Sequence, residues 1–440
     1  MSFPRPDQRA FVGSYWEQSV DKPRLERQLI GNALFDVAVI GAGYAGLSTA
    51  LKLAQAGVSV CVLDAEHVGF GASGRNGGFC CMGGTKLSNR QLIKRFGLEE
   101  TRKFLAFQVA GINLVAQRLK DWDADAGCHS KGEVYLAHRP SDLVDLKDEA
   151  AFLTQNFGIK TRLLEKGGLA EEGLSGPEFH GGLHVPYGFA LNPMVYVQAL
   201  AREARKAGTR IFGKSAVTRL YRDGERWRLN TAHGAVRAKQ VVLAGNGYAR
   251  EDTPKWLHGR TLPAMSSVQV TRPLTDDELA RQGWTSDLMA SDTRILLHYF
   301  RLLPDRRFLF GTRGGLFENG KALAAMQRRA RADFDRMFPE WAAIPTDFEW
   351  HGNVCLSRRL TPFVGPVPGM DNVFAALGWH GSGIAMASIS GEKLAGLMLK
   401  RIGRDALPKA VQEPLAKFPV PALRKLYLQG AYWWYGYQDR

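Results

Sequence analysis

Three short stretches carry residue types at spacings suited to holding a long anionic ligand. Gly41-Ala42-Gly43-Tyr44-Ala45-Gly46 follows the apolar run Phe35 to Ile40 and opens a helix-patterned segment from Leu47 to Ala56. Strand, tight turn and helix in that order present backbone N–H groups to a pyrophosphate. Gly41 permits the turn, Gly43 the close approach, and Gly46 the packing of helix on strand. The helix N-terminus adds unpaired N–H groups and a dipole that favours an anion. A second strand, Val58 to Leu63, ends at Asp64, whose carboxylate can accept hydrogen bonds from a ribose diol. Gly69-Phe70-Gly71-Ala72-Ser73-Gly74-Arg75-Asn76-Gly77-Gly78-Phe79 is too glycine-rich for a regular element, and its Ser73, Arg75 and Asn76 offer polar contacts. A second glycine-rich strand-to-helix turn, Gly378-Trp379-His380-Gly381-Ser382-Gly383-Ile384, comes more than 330 residues after the first. It would let the chain return to hold the far end of the same ligand.

Candidates for substrate chemistry are fewer. Tyr299 and Arg301 share one strand face by the period of two, and Arg301 is a candidate carboxylate anchor through a bidentate pair. Trp379 reads either as a pocket wall or as core. His380 reads either as a hydrogen-bond partner of ligand or as a turn histidine. His380-Gly381-Ser382-Gly383 is not a nucleophile elbow, which needs Gly two residues before Ser. The five cysteines, Cys61, Cys80, Cys81, Cys128 and Cys355, are odd in number and show no C-x-x-C pair, so a reducing compartment is expected and no metal site.

At 440 residues the chain is long enough for two to three domains and a large core. No apolar run reaches the roughly 18 residues of a membrane span, and Met1 to Asp7 lacks a secretory h-region. A cytoplasmic protein is expected. The net charge of +15 is spread along the chain, so a generally basic surface is expected rather than a nucleic-acid partner.

The elements that must position these residues follow from periodicity. Residues 1–34 form a lead-in with isolated aromatics, Tyr15 and Trp16. Gln91 to Trp122 is helical with a break near Gly97, Gly132 to Ala137 is a strand, and Ser141 to Phe157 a helix with Ser141 as N-cap. Asn192-Pro193 starts a helix to Ala207. Short strands in a meander precede a separate buried run, Gln240 to Tyr248, whose small residues Ala244 and Gly245 permit close backbone approach. Between 255 and 350, strand-like stretches and a helix from Ala322 to Met337 suggest an inserted antiparallel sheet. Leu423 to Tyr437 is strongly aromatic, read as a docked terminal helix or coil in preference to an interfacial membrane anchor.

Taken together, Tyr15-Trp16, Val39 to Gly46, GFGASGRNGG at 69–78, Gly245-Asn246-Gly247-Tyr248, Tyr299-Phe300-Arg301, Gly378 to Ile384 and the aromatic tail resemble the FAD-dependent amino-acid and amine oxidoreductases of the D-amino-acid-oxidase superfamily. The similarity is greatest to the gamma-glutamylputrescine oxidoreductase branch. The resemblance implies an α/β fold with a Rossmann-type FAD-binding domain from 1–90, 190–254 and 351–440, and a substrate-binding domain from 91–189 and 255–350. It implies non-covalent FAD. Gly41, Ala42, Gly43, Tyr44, Ala45 and Gly46 would hold the pyrophosphate, and Asp64 and Ala65 the adenosine ribose. Ala72, Ser73, Arg75, Asn76, Gly77, Gly78 and Phe79 would face the phosphates and flavin, and Val217 the adenine. Ala244 and Gly245 would line the middle of the cofactor. Gly378, His380, Gly381, Ser382, Gly383 and Ile384 would lie at the pyrimidine end of the ring.

The activity implied is hydride transfer from the carbon beside a neutral amine nitrogen to flavin N5, giving an imine that water hydrolyses to an aldehyde or keto acid plus amine or ammonia. The partners implied are a small amine or amino acid, and oxygen or a quinone or other electron carrier as acceptor. A gamma-glutamylputrescine-like substrate is expected, with glycine, sarcosine or a D-amino acid as the alternative. A tRNA-modifying flavoprotein is the alternative of another class. No dedicated acid or base stands out. Tyr299, Arg301, Trp379 and His380 are the substrate-site candidates.

Overall fold

Continuous apolar runs and alternating ones sort the strands into two eight-stranded sheets, with Phe79–Cys80 and Phe189–Ala190 paired separately in a two-stranded one. The computed structural model describes residues 13–20 and 25–439. The expectation about Met1 to Asp7, and part of the 1–34 lead-in, lie outside them. The first sheet runs Phe363–Pro366, Val373–Leu377, Gly234–Leu243, Gly31–Ile40, Val60–Leu63, Arg210–Phe212. Its inner strands are parallel, from Val373–Leu377 across to Arg210–Phe212. Val60–Leu63 is wholly buried, as a parallel strand covered on both faces must be. Helices Tyr44–Gln55, Pro193–Lys206 and Ile384–Met398 supply the core with Leu47, Leu51, Leu200 and Ile389. The meander and the separate run expected after it share one strand. Gly234–Leu243 pairs in parallel with Gly31–Ile40 along its whole length and antiparallel with Arg226–Asn230 over its first half. Its exposed Arg237 and Lys239 break the apolar pattern without breaking the ladder.

The second sheet runs Thr346–Ser357, Thr261–Thr271, Phe308–Arg313, His298–Leu302, Met289–Asp292, Glu133–Leu136, Gly181–Val185, Arg162–Glu165. It is antiparallel except where Met289–Asp292 meets Glu133–Leu136. Alternation gives it two unlike faces. Phe300, Phe308 and Phe310 point one way, into an aromatic core closed by Phe334, Met337 and Trp341 from the helix Gly320–Met337 and the turn after it. Tyr299, Arg301, Gly311 and Arg313 occupy the alternate positions. Tyr299 and Arg301 meet Phe79 and Gly77, so this face is turned toward the first sheet.

Helix Leu98–Asp121, which the expected division groups with the substrate part, packs instead on Ile384–Met398. A Cβ on Gly111 would stand 2.7 Å from Ala385 O. Asn192 caps its helix as expected, accepting from the Met194 and Val195 amides. Ser141 makes no side-chain cap. The tail forms helix Arg424–Gln438, docked through Leu428 on Leu262, Ala264 and Leu316. Asp439 accepts from the Ile295 and Leu296 amides at 2.9 and 3.0 Å.

Candidate cofactor and substrate site

Parallel strands bring their carboxyl ends to one edge of the first sheet, where ligands of such sheets bind. The turns on that edge fall in a definite order. Val217 follows Arg210–Phe212, Asp64 follows Val60–Leu63, and Gly41 to Gly46 follow Gly31–Ile40. Ala244 and Gly245 follow Gly234–Leu243, and Gly378 to Ile384 follow Val373–Leu377. At about 4.8 Å per strand these five turns span roughly 19 Å. That is the order in which an extended FAD presents adenine, ribose, pyrophosphate, linker and ring.

Local geometry fits such a cofactor. Gly41 has φ +109°, and a Cβ there would stand 2.9 Å from Ala244 C. A Cβ on Gly46 would stand 2.0 Å from Gly41 O, so helix and strand touch only because it is glycine. The Gly43, Ala45 and Gly46 amides donate to no protein acceptor among the described residues, and Gly43 makes no side-chain cap. Asp64 accepts from the Ala42 amide at 2.7 Å and the Glu66 amide at 2.9 Å, and each oxygen keeps a free lone pair. Burial raises its carboxyl pKa, and those two amides oppose the shift. Neither backbone polar group of buried Val217 is paired within the described residues. Ala65 is exposed beside Asp64. At the other end, Gly378 N donates to Asn246 Oδ1 at 2.9 Å, fastening the last turn to the one after Gly245. The Gly383, Ile384 and Ala385 amides at the head of the 15-residue helix have no protein acceptor among the described residues. The two helix N-termini therefore each present amides without a protein acceptor among the described residues.

The 69–79 loop is wrapped over the first helix. Ser73 Oγ accepts from the Tyr44 amide at 3.1 Å, and Asn76 donates to Ala72 O and Ser73 O while accepting from the Gly78 amide. Trp16 Nε1 donates to Asn76 O and Trp350 Nε1 to Arg75 O, both at 2.8 Å. Arg75 was expected to reach the phosphates. Its guanidinium donates instead to Phe70 O at 2.5 Å and His351 O at 3.2 Å, with Phe70 and Tyr248 rings nearby. Its side chain holds the loop to the second sheet.

Two substrate-site candidates also have structural roles. Arg301 is buried, and its three nitrogens contact Gly77 O at 3.0 Å, Leu191 O at 2.9 Å and His129 Nε2 at 2.8 Å. Burial pushes it down to about 9. It staples the loop at Gly77 through carbonyl oxygens of the protein. His380 Nε2 accepts from the Ser357 amide at 3.2 Å, which leaves the proton on Nδ1, donating to Gly84 O at 3.2 Å. Burial pulls its pKa down to about 3, so the ring is neutral and spent on tying its turn to Ser357 and Gly84. Trp379 is part of the core. Tyr299 stays on the near face, its hydroxyl 3.0 Å from Ser266 Oγ and its ring edge-on to Phe79.

Sequence reading missed Arg313 and Lys86. A Cβ on Gly381 would stand 2.6 Å from Arg313 Nη2, so the guanidinium lies against the last turn, within electrostatic reach of Tyr299 and Tyr432. Lys86 follows Gly83 and Gly84, which pack on Ser382 and Met386. Neither cation makes a side-chain hydrogen bond or ion pair among the described residues. Lys86 reaches solvent, yet the protein around it desolvates its ammonium. Burial and then Arg313 hold its ammonium well below the usual range. Burial also lowers Arg313. Glu133, buried, is held by Ser291 and Tyr135 at 3.0 and 3.2 Å; its pKa is raised by burial, with Lys86 opposing. The period of two could have found Arg313, two positions past Gly311 on the Tyr299 face.

A family model described as FAD dependent oxidoreductase matches residues 36–397. The chain belongs to this family. It is 29% identical to gamma-glutamylputrescine oxidoreductase of Escherichia coli (strain K12) over 88% of this chain and 89% of that one. It is 30% identical to a probable oxidoreductase, OrdL, of Haemophilus influenzae over 83% of each. Glycine oxidase from Bacillus cereus shares the fold at a TM-score of 0.68 and 19% identity, over 87% of this chain and all of that one. The α/β architecture and the FAD cofactor read from the sequence are thereby established, and the chain is an FAD-dependent oxidoreductase of the amine and amino-acid class. No helix of the described residues is long and apolar enough to cross a membrane.

Proposed function

We propose that this oxidoreductase acts on an amine that also carries a carboxylate, a gamma-glutamylated polyamine such as gamma-glutamylputrescine first, with glycine, sarcosine or a D-amino acid as the alternative. One observation carries the reading: among the described residues neither Arg313 nor Lys86 makes a side-chain hydrogen bond or ion pair, and Arg313 lies against the turn at Gly381 while Lys86 has only the field of Glu133 for a countercharge. A desolvated charge without a close partner is costly unless a ligand compensates it. The name of the Escherichia coli relative supports the same class of substrate.

When bound, FAD supplies acceptance of a hydride from the carbon next to the amine nitrogen. The protein's own groups do the rest. The Gly43, Ala45 and Gly46 amides would hold the pyrophosphate and those at Gly383 to Ala385 the ring end of the cofactor, with Asp64 on the ribose and Val217 at the adenine. Arg313 and Lys86 would bind the substrate carboxylate; for glycine, sarcosine or a D-amino acid, whose carboxylate adjoins the amine, their positive field would also lower the amine's pKa and favour the neutral form that hydride loss requires. Tyr299 and Phe79 would wall the pocket with aromatic surface. Oxygen or a quinone would take the electrons onward. The reading includes a cytoplasmic setting, supported by five cysteines that are all unpaired.

The experiment is anaerobic mixing of FAD-loaded protein with gamma-glutamylputrescine, putrescine, glycine, sarcosine and D-alanine, followed by air. Gamma-glutamylputrescine is expected to bleach the visible flavin band fastest. Failure of every amine to bleach it would remove the amine-oxidation reading. Putrescine reacting as well as its gamma-glutamyl derivative would remove the anion subsite. Rapid recovery in air marks an oxidase, and recovery only with a quinone marks a dehydrogenase.

A further inference from the structure

The terminal helix Arg424–Gln438 has two unlike faces. Leu428 is buried on the inner one, and Tyr432 packs with it near Arg313. On the outer one Leu426, Tyr427, Trp433, Trp434 and Tyr437 are 64%, 45%, 74%, 58% and 71% exposed. With Gly430 between them, these positions recur at seven-residue steps and form one helical stripe. Val420 and Leu423, both exposed, extend it upstream. Among the described residues sixteen large apolar or aromatic side chains are exposed, and seven of them lie between 420 and 437. Ordinary surfaces scatter such residues singly, so this cluster calls for a partner.

Charge identifies the partner. The helix carries no acidic residue; its two cations are held by the protein, Arg424 on Glu251 and Lys425 on Leu316 O, so the attraction is that of the chain as a whole, which carries +15. Two copies of a +15 chain repel each other, whereas an anionic bilayer attracts each of them. Tryptophan and tyrosine, apolar in body and polar at one edge, favour the headgroup boundary of a bilayer. Fifteen residues are too few to span it, so the helix would lie in the interface plane. We propose that the outer face of Arg424–Gln438 docks the enzyme on an anionic lipid surface, with Trp433, Trp434 and Tyr437 seated among the headgroups.

The test floats the FAD-loaded full chain with vesicles of phosphatidylcholine alone and of phosphatidylcholine mixed with phosphatidylglycerol. Protein is expected with the mixed vesicles, far less with the neutral ones, and less again as salt rises. A triple variant, W433S/W434S/Y437S, should lose about tenfold or more of the vesicle-bound fraction while keeping its flavin band and turnover. Undiminished vesicle binding by that variant would overturn the proposal. So would a wild-type chain that ignores vesicles and forms a dimer, by light scattering, that the variant does not form, since the face would then belong to a second copy. Quenching of tryptophan fluorescence by brominated lipid in the unaltered protein gives a reading independent of any variant's folding. Quenching supports insertion, and its absence overturns it.

Discussion

Single residues divide here by what their polar atoms have already met. Arg301 and Arg313 lie on the same face of the second sheet, yet one is tied to carbonyls and the other makes no side-chain hydrogen bond or ion pair among the described residues. Arg313→Met should therefore raise KM for gamma-glutamylputrescine about 10–100-fold, the value of a charge-assisted hydrogen bond, and leave KM for an uncharged amine nearly unchanged. With glycine or sarcosine, whose carboxylate adjoins the amine, the same substitution also removes positive charge from near the reacting nitrogen. The pH at which kcat/KM reaches half its high-pH plateau should move upward, and an unmoved profile would show that Arg313 does not face the amine. Arg301→Met should behave differently. It leaves Gly77 O and Leu191 O without their donor and should cost about 3 kcal/mol in a chemical-denaturation curve, without a selective change in KM. Gly46→Ala, with its Cβ 2.0 Å from Gly41 O, should abolish FAD retention on gel filtration. The period of two showed that Tyr299 and Arg301 share a face. Which arginine the protein consumes was not legible, because Arg301's partners Leu191 and Gly77 are 110 and 224 positions away. His380 was ambiguous for the same reason, since its partners Ser357 and Gly84 come from elsewhere in the chain.

At the scale of elements, local chemistry marked helix starts well where a cap is made from a neighbouring side chain, as at Asn192. It marked strand continuity poorly. Lys239 and Gln240 interrupt the apolar pattern of Gly234–Leu243, but the ladder to Gly31–Ile40 carries through them. The second sheet also contains a charge cluster that pattern reading did not show. His298 sits between Asp292 at 2.6 Å and Asp333 at 3.3 Å, with Arg294 on Asp292 at 2.6 Å. Burial alone would pull the imidazole down, but the two carboxylates overcome it and push its pKa up to about 9. A raised folded-state value means that this stabilisation is complete below about 6.5 and is lost as pH rises through 9. Thermal or denaturant midpoints should fall across that window by the equivalent of up to about 3 kcal/mol, and His298→Gln should flatten the fall. A wild-type midpoint constant from pH 6 to 9 would contradict the charged pair.

For the whole molecule, the decisive feature is the sequence of turns along one sheet edge. The first glycine-rich turn and the last were both legible as strand-to-helix junctions. That they sit on the same edge, with Val217, Asp64 and Gly245 in register between and beside them, depends on strand order. Gly31–Ile40 pairs with Gly234–Leu243, and that strand with Val373–Leu377, across separations no local pattern encodes. The central claim is that one FAD lies along this edge with its adenine at Val217 and its ring at Gly381 to Ala385. The most direct measurement is an electron-density map of the FAD-loaded protein. The account predicts pyrophosphate density on the Gly43, Ala45 and Gly46 amides and ring density between the last turn and Tyr299. Density running in the opposite direction along the edge, or a ring placed away from Gly381, would contradict it.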